Sequence, residues 1–135
     1  MIDLGAKRGD RLAILSGNSI EQAIVMFAAM SVGVVVAPIS PNYSLMPGGL
    51  ARLQDIATLL RPSFVFAQDS ETYAPARKIP ELASATWMTA DQKAGSVSVQ
   101  SLYATRPGAE FAQAFRSVDS EAAADLVMVG TTIRG

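Results

Sequence analysis

Two places along this sequence carry residues whose types and spacing suit chemistry. Gly130, Thr131 and Thr132 place a glycine before two hydroxyls, a combination that can wrap a phosphate through backbone N–H groups and side-chain oxygens. Asp69 and Glu71 stand close enough in sequence to suggest paired acids. Each place also has a structural explanation: a polar chain end for the threonines and helix-start carboxylates for the acids. We favour the structural explanation for the acids and leave both open for the Gly-Thr-Thr segment.

Gly17 and a basic cluster are further candidates, and both have simpler explanations. Gly17 follows an apolar run, but a dinucleotide-binding loop needs three spaced glycines, so we interpret Gly17 as a turn before a helix. Lys7, Arg8 and Arg11 form a small positive cluster before a strand, where charges are usually only solvated. Four aromatic residues in or beside strands are assigned to the core rather than to an aromatic-acid pocket: Tyr43, Phe64, Phe66 and Trp87.

Two missing residue types exclude several mechanisms. The chain contains no cysteine and no histidine. A Ser-His-Asp triad, an imidazole base, a thiolate nucleophile and a metal site built on His or Cys therefore cannot be assembled from this chain alone. We predict no catalytic residue and no metal ligand within it.

Length and composition indicate one folded domain, or part of one. The chain has 135 residues, of which 50% are apolar and 17% charged, so it is neither disordered nor a charged tail. The 11 basic residues nearly cancel the 12 acidic ones, which argues against nucleic acid as a partner. The first residues lack the basic and apolar regions of a signal peptide. We expect a cytoplasmic protein.

One apolar segment, Ala23 to Ile39, approaches the length of about 20 residues that spans a bilayer. Its first part is rich in helix formers, Gly33 interrupts it, and a β-branched run follows that ends at Pro38. The segment is therefore predicted to be a helix, a stop and a strand, and no membrane association is expected.

Strand and helix patterns alternate along the chain. Strands are predicted at Arg11 to Leu15, Val34 to Ile39, Ser63 to Ala67 and Thr86 to Thr89, with a further candidate at Asp125 to Val129. A first helix is predicted from Ile20 to Val32 and a second after Gly48-Gly49 as far as Leu60, followed by a weak helix over Glu71 to Ile79 and helical turns over Ala109 to Phe115. Asp91 to Gly108 is expected to be irregular. This alternation predicts an α/β fold, a mainly parallel sheet with flanking helices and right-handed crossovers.

The ends of the first helix carry specific signals. Ser19 and Gln22 have the spacing of a capping box, in which the hydroxyl accepts a hydrogen bond from a backbone N–H of the first turn. Gly33 is placed to adopt the left-handed conformation that ends a helix. The helix is apolar nearly all round, so we expect it to be covered on more than one side.

Four runs in order carry a family resemblance: AKRGDRLAIL (Ala6 to Leu15), SGNSIEQA (Ser16 to Ala23), APISPNYSL (Ala37 to Leu45) and LRPSFVFAQD (Leu60 to Asp69). Together they resemble the N-terminal subdomain of acyl-CoA synthetases, members of the adenylate-forming, AMP-binding ligase superfamily. This resemblance implies that residues 1–135 form a single partial domain. Residues 1–70 resemble the family's N-terminal subdomain more closely than residues 71–135 do. Within the family, SGNSIEQA and SPNYSL most resemble feruloyl-CoA synthase, which acts on hydroxycinnamates such as ferulate.

The resemblance implies an ATP-dependent carboxylate–CoA ligase. Such enzymes use ATP and Mg²⁺ to form an acyl-adenylate and then transfer the acyl group to coenzyme A. Gly130, Thr131 and Thr132 align with part of the family's phosphate-binding loop, but Val129 replaces a usual Ser, Ile133 a usual Gly, and no Pro-Lys-Gly follows. The family's downstream nucleotide, Mg²⁺ and lysine motifs have no counterpart here. We therefore expect a ligase fragment that is inactive alone and binds none of these cofactors tightly.

Two other functions stay open. The first is a non-catalytic truncated product or interaction module, whose partner would be the remainder of a ligase or a second copy, reached through exposed apolar surface. The second is a small nucleotide-binding α/β module, which the altered phosphate loop disfavours.

Overall fold

The structure, a computed structural model, describes residues 1–91 and 93–118 and contains a five-stranded parallel sheet. Its strands are β1 (Arg11–Ile14), β2 (Val35–Pro38), β3 (Phe64–Ala67), β4 (Thr86–Thr89) and β5 (Val97–Ser98). The order across the sheet is β2-β1-β3-β4-β5, and every neighbouring pair is parallel. The predicted fold class, a mainly parallel α/β sheet with flanking helices, is confirmed.

Helices cover both faces of the sheet. They are α1 (Ile20–Met30), α2 (Asn42–Leu45), α3 (Gly49–Leu60), α4 (Pro80–Ala83), α5 (Val99–Tyr103) and α6 (Ala109–Ser117), with 3-10 helices at Ile2–Leu4 and Ala74–Lys78. The buried side of α1 packs on one face and the buried side of α3 on the other, as expected for right-handed crossovers on both sides of the first strand.

The core is divided by the sheet into two clusters, because side chains alternate along each strand. On β1, Leu12 and Ile14 point towards α1, whereas Ala13 and Leu15 point towards α3. All four residues are fully buried. Burial on both faces explains why this strand is a continuous apolar run rather than an alternating one.

Both predicted signals at the ends of α1 are present. The Ser19 hydroxyl accepts a hydrogen bond from the backbone N–H of Gln22 at 3.0 Å. Gly33 has φ 77°, and a Cβ built at this position would lie 3.0 Å from Cγ of Arg8. Glycine is therefore required at position 33 for its conformation and for the close approach of the N-terminal segment.

Several predicted boundaries need correction. Helix α1 ends at Met30, not Val32, and the first three strands are each shorter than predicted, with β2 two residues shorter than Val34 to Ile39. A short helix, α2, for which no helix was predicted, follows Pro41, whose fixed φ favours the start of a helix. The candidate strand Asp125 to Val129 lies outside the described residues.

Two segments beyond β3 differ more strongly from the prediction. Instead of a helix over Glu71 to Ile79, the chain forms a turn and a 3-10 helix, because the Asp69 carboxylate binds the Thr72 N–H and Pro75 lacks an N–H of its own. Asp91 to Gly108 is not irregular throughout. It contains β5, which pairs with the edge of β4, and α5.

The apolar segment from Ala23 to Ile39 folds as predicted, with α1 followed by a turn at Gly33 and then β2. Among the residues that the structure describes, no helix is long and apolar enough to cross a membrane.

Candidate functional site

The carboxyl ends of β1 and β3 form a topological switch point. From β1 the chain crosses to β2 by way of α1 on one face, and from β2 it returns to β3 by way of α3 on the other face. The two connections therefore diverge, and in parallel α/β sheets the crevice beyond the strand ends at such a point is the usual place for a ligand. We take this edge of the sheet as the candidate site.

Ser16 lies two residues after the end of β1, and Gln68 directly follows β3, at this edge. Leu15 continues the ladder of β1 by donating its N–H to the carbonyl of Phe66 at 2.9 Å, which brings the two strand ends side by side. Ser16 is only 5% exposed, and neither its Oγ nor Oε1 of Gln68 has a hydrogen-bond partner among the described residues. Buried polar atoms normally have partners, so this edge has unused hydrogen-bonding capacity.

Tyr73 lies beneath the same edge. Burial raises the pKa of its hydroxyl, the charge of Asp69 raises it further, and a hydrogen bond with the backbone of Gly17 opposes both effects. These contacts place the phenol between the turn after β1 and the turn after β3. The side chain is neutral at physiological pH and can offer a hydrogen bond at the switch point.

Asp91 joins the ends of β3 and β4. Its carboxylate accepts hydrogen bonds from the backbone N–H and from the hydroxyl of Ser70, both at 2.9 Å, while the Thr89 hydroxyl donates to the Asp91 carbonyl at 2.9 Å. Burial alone would raise the pKa of Asp91, but the hydrogen bonds from Ser70 and the charge of Lys93 outweigh it and hold that pKa below its ordinary value. Asp91 is therefore an ionised brace between two turns.

Asp69 and Glu71 each interact with a different partner rather than with each other. The Asp69 carboxylate accepts a hydrogen bond from the Thr72 N–H at 2.7 Å, and the Glu71 carboxylate forms an ion pair with Lys93. The ion pair raises the pKa of Lys93, chiefly through its hydrogen bond to Glu71. The predicted role of these acids at a helix start is wrong, because no helix begins here: Asp69 caps a turn and Glu71 binds a surface lysine.

The prediction that the basic cluster near the N-terminus is only solvated is wrong for Arg8 and Arg11, which donate hydrogen bonds to backbone carbonyls. Nε and one terminal nitrogen of Arg11 donate to the carbonyl of Arg61 at 3.2 and 3.0 Å. A terminal nitrogen of Arg8 donates to the carbonyl of Ser117 at 2.9 Å. Both guanidinium groups thus hold chain segments together. Arg61 itself adopts a left-handed conformation, with φ 45°, where α3 ends.

The four aromatic residues do not surround a common pocket. Phe64 and Phe66 belong to the core on the α1 face of the sheet, whereas Trp87 and Tyr43 pack in or against the core on the α3 face. Trp87 is anchored by a hydrogen bond from Nε1 to the carbonyl of Leu82 at 2.7 Å. The assignment of these aromatics to the core is confirmed.

The predicted phosphate-binding residues Gly130, Thr131 and Thr132 lie outside the described residues. Across residues 1–91 and 93–118, no group of three or more acidic, His or Cys side chains could hold a metal ion. Within the described part of the chain, Ser16 has no hydrogen-bonded base, which a nucleophilic serine needs. What the edge offers chemically is hydrogen bonding from Ser16, Gln68 and Tyr73, a set that can bind and orient a ligand.

The alternation of side chains along β1 and β3 could have predicted that Ser16 and Gln68 lie on the same face of the sheet. Tyr73 carried no comparable signal, because it lies in an irregular turn.

A profile of the AMP-binding enzyme family matches residues 1–129, which is nearly the whole chain. The chain belongs to the AMP-binding enzyme family. None of the curated proteins compared with it is similar enough to count as a match.

Several solved structures have the same fold as this chain. MbtA from Mycobacterium smegmatis, in its apo form, is 19% identical over 96% of this chain, with a TM-score of 0.71. Acetoacetyl-CoA synthetase from Streptomyces lividans is 18% identical over 79% of the chain, with a TM-score of 0.63. The A domain of carboxylic acid reductase from Segniliparus rugosus, solved with AMP and a co-purified carboxylic acid, is 18% identical over 91%, with a TM-score of 0.54.

This member of the AMP-binding enzyme family spans only part of those proteins. It covers 24% of the MbtA chain, 18% of the acetoacetyl-CoA synthetase chain and 17% of the carboxylic acid reductase chain. At these identities the likeness shows the fold. The five-stranded sheet therefore has the fold of one segment of those larger proteins.

Proposed function

We propose that this chain is the N-terminal part of an ATP-dependent carboxylate–CoA ligase. Such an enzyme joins a carboxylate oxygen to the α-phosphorus of ATP, releases pyrophosphate, and then transfers the acyl group from AMP to the thiol of coenzyme A. The observation that carries the proposal is the AMP-binding family match over residues 1–129. The parallel sheet shared with acetoacetyl-CoA synthetase supports it.

Within that enzyme, Gly130, Thr131 and Thr132 are proposed to contact the ATP phosphates. Their residue types suit the task, since a glycine lets the backbone approach closely and two hydroxyls can donate hydrogen bonds to phosphate oxygens. Mg²⁺ and coenzyme A belong to the proposal only for a full-length ligase. Among the described residues the acidic side chains at the sheet edge serve turns and an ion pair, so no step is assigned to them.

For the acyl substrate we propose a hydroxycinnamate such as ferulate. The two runs that resemble feruloyl-CoA synthase, at Ser16 to Ala23 and Ser40 to Leu45, begin two residues after the ends of β1 and β2. Both therefore start at the carboxyl edge of the sheet, the edge that contains the switch point. This placement supports a role for them near a ligand, because ligands of parallel α/β sheets usually bind at this edge.

The chain by itself is proposed to be inactive. It spans about a quarter or less of the solved proteins with this fold that are described above. It also contains no histidine or cysteine that could serve as a base or nucleophile.

The test measures pyrophosphate release from ATP by the purified chain with ferulate and Mg²⁺, with fluorescence of the sole tryptophan, Trp87, as the check for folding. We expect no release above the rate without protein. Sustained release that depends on ferulate would overturn the proposed inactivity.

Titration calorimetry with Mg-ATP tests the phosphate contact separately. Binding with a Kd of about 1 µM, roughly −8 kcal/mol, that is lost in a Thr131→Val/Thr132→Val variant would support the assigned residues. If a folded sample gives no heat on titration with Mg-ATP, this chain alone does not bind the nucleotide. If the double variant binds Mg-ATP as the wild type does, nucleotide binding does not depend on the hydroxyls of Thr131 and Thr132.

A further inference from the structure

One outer edge of the sheet is closed by a very short strand. β5 contains only Val97 and Ser98, which pair with Met88 and Thr89 of β4. A ladder of two residue pairs supplies few backbone hydrogen bonds, and such parts of a fold open most readily. The contacts that keep β5 on the sheet therefore lie largely outside the ladder.

The side chain of Arg77 supplies such contacts. Arg77 belongs to the 3-10 helix Ala74–Lys78, which follows β3. One terminal nitrogen of its guanidinium donates a hydrogen bond to the carbonyl of Gly95 at 3.1 Å, and the other donates to the hydroxyl of Ser96. Gly95 and Ser96 are the two residues directly before β5. The guanidinium group thus binds the chain at the point where the strand begins.

The same guanidinium also contacts β4. Its central carbon lies 4.4 Å from the centroid of the Trp87 ring, which is a cation–π contact. Trp87 is only 4% exposed, and its Nε1 donates a hydrogen bond to the carbonyl of Leu82, so the position of the ring is fixed. One side chain therefore joins the residues before β5 to the neighbouring strand β4.

Helix α5 is coupled to β5 because it begins at Val99, the residue directly after the strand. Val99 is 1% exposed and belongs to the core cluster under α1, which also contains the fully buried Met88. If β5 separates from β4, Val99 loses its place in this cluster and the backbone of Met88 loses its cover. β5 and α5, residues 97–103, thus form one structural unit, which we call the flap.

A second link between the same two segments is weaker. Lys93 and Glu71 form an ion pair, and their side chains are 49% and 82% exposed. Ion pairs at such exposed positions contribute little, because water screens the charges. Arg77 is half-buried and lies on a ring that is shielded from solvent, where hydrogen bonds from a charged group and cation–π contacts are stronger.

We propose that Arg77 is the latch that keeps the flap closed over the outer edge of β4. With the latch closed, β4 is paired with β3 on one side and with β5 on the other. With the latch open, the outer edge of β4 offers unpaired N–H and C=O groups to another strand. The opening is local, so the pairing of β1 to β4 persists. This inference does not depend on the ligase assignment.

Hydrogen exchange, followed by mass spectrometry of peptides, tests the latch. Arg77→Ala should speed exchange in β5 at least about tenfold, which corresponds to about 1.4 kcal/mol, while exchange in β1 and β3 stays at the wild-type rate. Lys78→Ala is the matched control, because Lys78 is the next residue of the same 3-10 helix, has the same charge and is exposed. It should leave exchange in β5 unchanged. Wild-type exchange in Arg77→Ala, or equal acceleration in every strand, would overturn the proposal.

Two further variants separate the latch from a general effect of charge. Ser96→Ala removes one of the two acceptors and keeps Arg77, so it should speed exchange in β5 by a smaller factor than Arg77→Ala. Lys93→Ala removes the surface ion pair and should leave exchange in β5 close to that of the wild type. An effect of Lys93→Ala as large as that of Arg77→Ala, or a Ser96→Ala variant that exchanges like the wild type, would contradict the assigned latch.

Discussion

The Ser19 hydroxyl accepts a hydrogen bond from the Gln22 N–H and so satisfies one of the backbone donors that the first turn of α1 leaves unpaired. The Ser19 backbone is extended, with φ −150° and ψ 165°, as is typical of the residue before a helix. This contact also directs the chain out of the switch point, since β1 ends only five residues earlier at Ile14. A single hydroxyl thus contributes to the position of the Ser16–Gly17 turn.

Replacing this cap should weaken the fold measurably. Ser19→Ala removes the only side-chain acceptor of the contact and should lower the free energy of unfolding by about 1 kcal/mol. Ser19→Asp, which restores an acceptor and a favourable charge at the helix N-terminus, should recover most of it. Urea unfolding followed by Trp87 fluorescence measures both, and equal stabilities for the alanine and aspartate variants would contradict the capping role.

Asp91 links the turns that follow β3 and β4 at the edge of the sheet. Its carboxylate joins the turn after β4 to Ser70 in the turn after β3, so the two turns keep a fixed spacing. The ion pair of Glu71 and Lys93 links the same two segments at the surface, where it contributes little because both side chains are exposed.

The pH dependence of stability should reveal the Asp91 brace. A carboxyl whose pKa is lowered in the folded state contributes stability above its unfolded pKa of about 3.9 and loses it as the pH falls through the folded pKa. Asp91→Asn should therefore reduce the free energy of unfolding at pH 7, and the difference from the wild type should shrink as the pH drops below about 4.

Urea unfolding at neutral and acidic pH checks this prediction. Asp55→Asn, on the exposed side of α3, is the control and should leave the stability close to that of the wild type at both pH values. A difference for Asp91→Asn that stays constant across the pH range would show that the charge of Asp91 is not what braces the turns.

At the scale of the whole molecule, one sheet supports two separate cores. Phe66 lies at the centre of β3 with no exposed surface, in the cluster under α1 that also contains Ile14 and Met88. Because β3 is paired on both sides, by β1 and by β4, a defect here acts on the sheet as well as on the helices above it.

Truncation of this ring should be costly. Phe66→Ala leaves a cavity in a fully packed region and should lower the free energy of unfolding by about 3–5 kcal/mol. That is a large share of the roughly 5–15 kcal/mol that stabilise a typical domain. Leu59→Ala, at an exposed site, should change it by less than about 0.5 kcal/mol. Calorimetric or urea unfolding measures both variants. A decrease in the free energy of unfolding of less than about 1 kcal/mol for Phe66→Ala would contradict its assignment to the core.

Patterns within a few residues of each other determined much of this protein. The apolar runs of the first four strands, the capping spacing at Ser19 and the glycine stop at position 33 are local features, and each of these elements forms close to its predicted place. The resemblance in four ordered runs also led to the AMP-binding family, because family motifs are short stretches of sequence. Local periodicity was sufficient for these elements since burial on both faces leaves a continuous apolar signal.

The tertiary structure decided what depends on residues far apart in the chain. Strand β5 has only two residues and forms because the edge of β4 offers hydrogen-bonding partners. Two residues are too few for a periodic pattern that could predict a strand. The switch point and its unused polar atoms on Ser16 and Gln68 follow from strand order, which no local pattern contains. The exposed side of α1 is likewise a tertiary result: the sequence shows that the helix is apolar nearly all round, and only packing shows that Ile20 and Phe27 remain exposed.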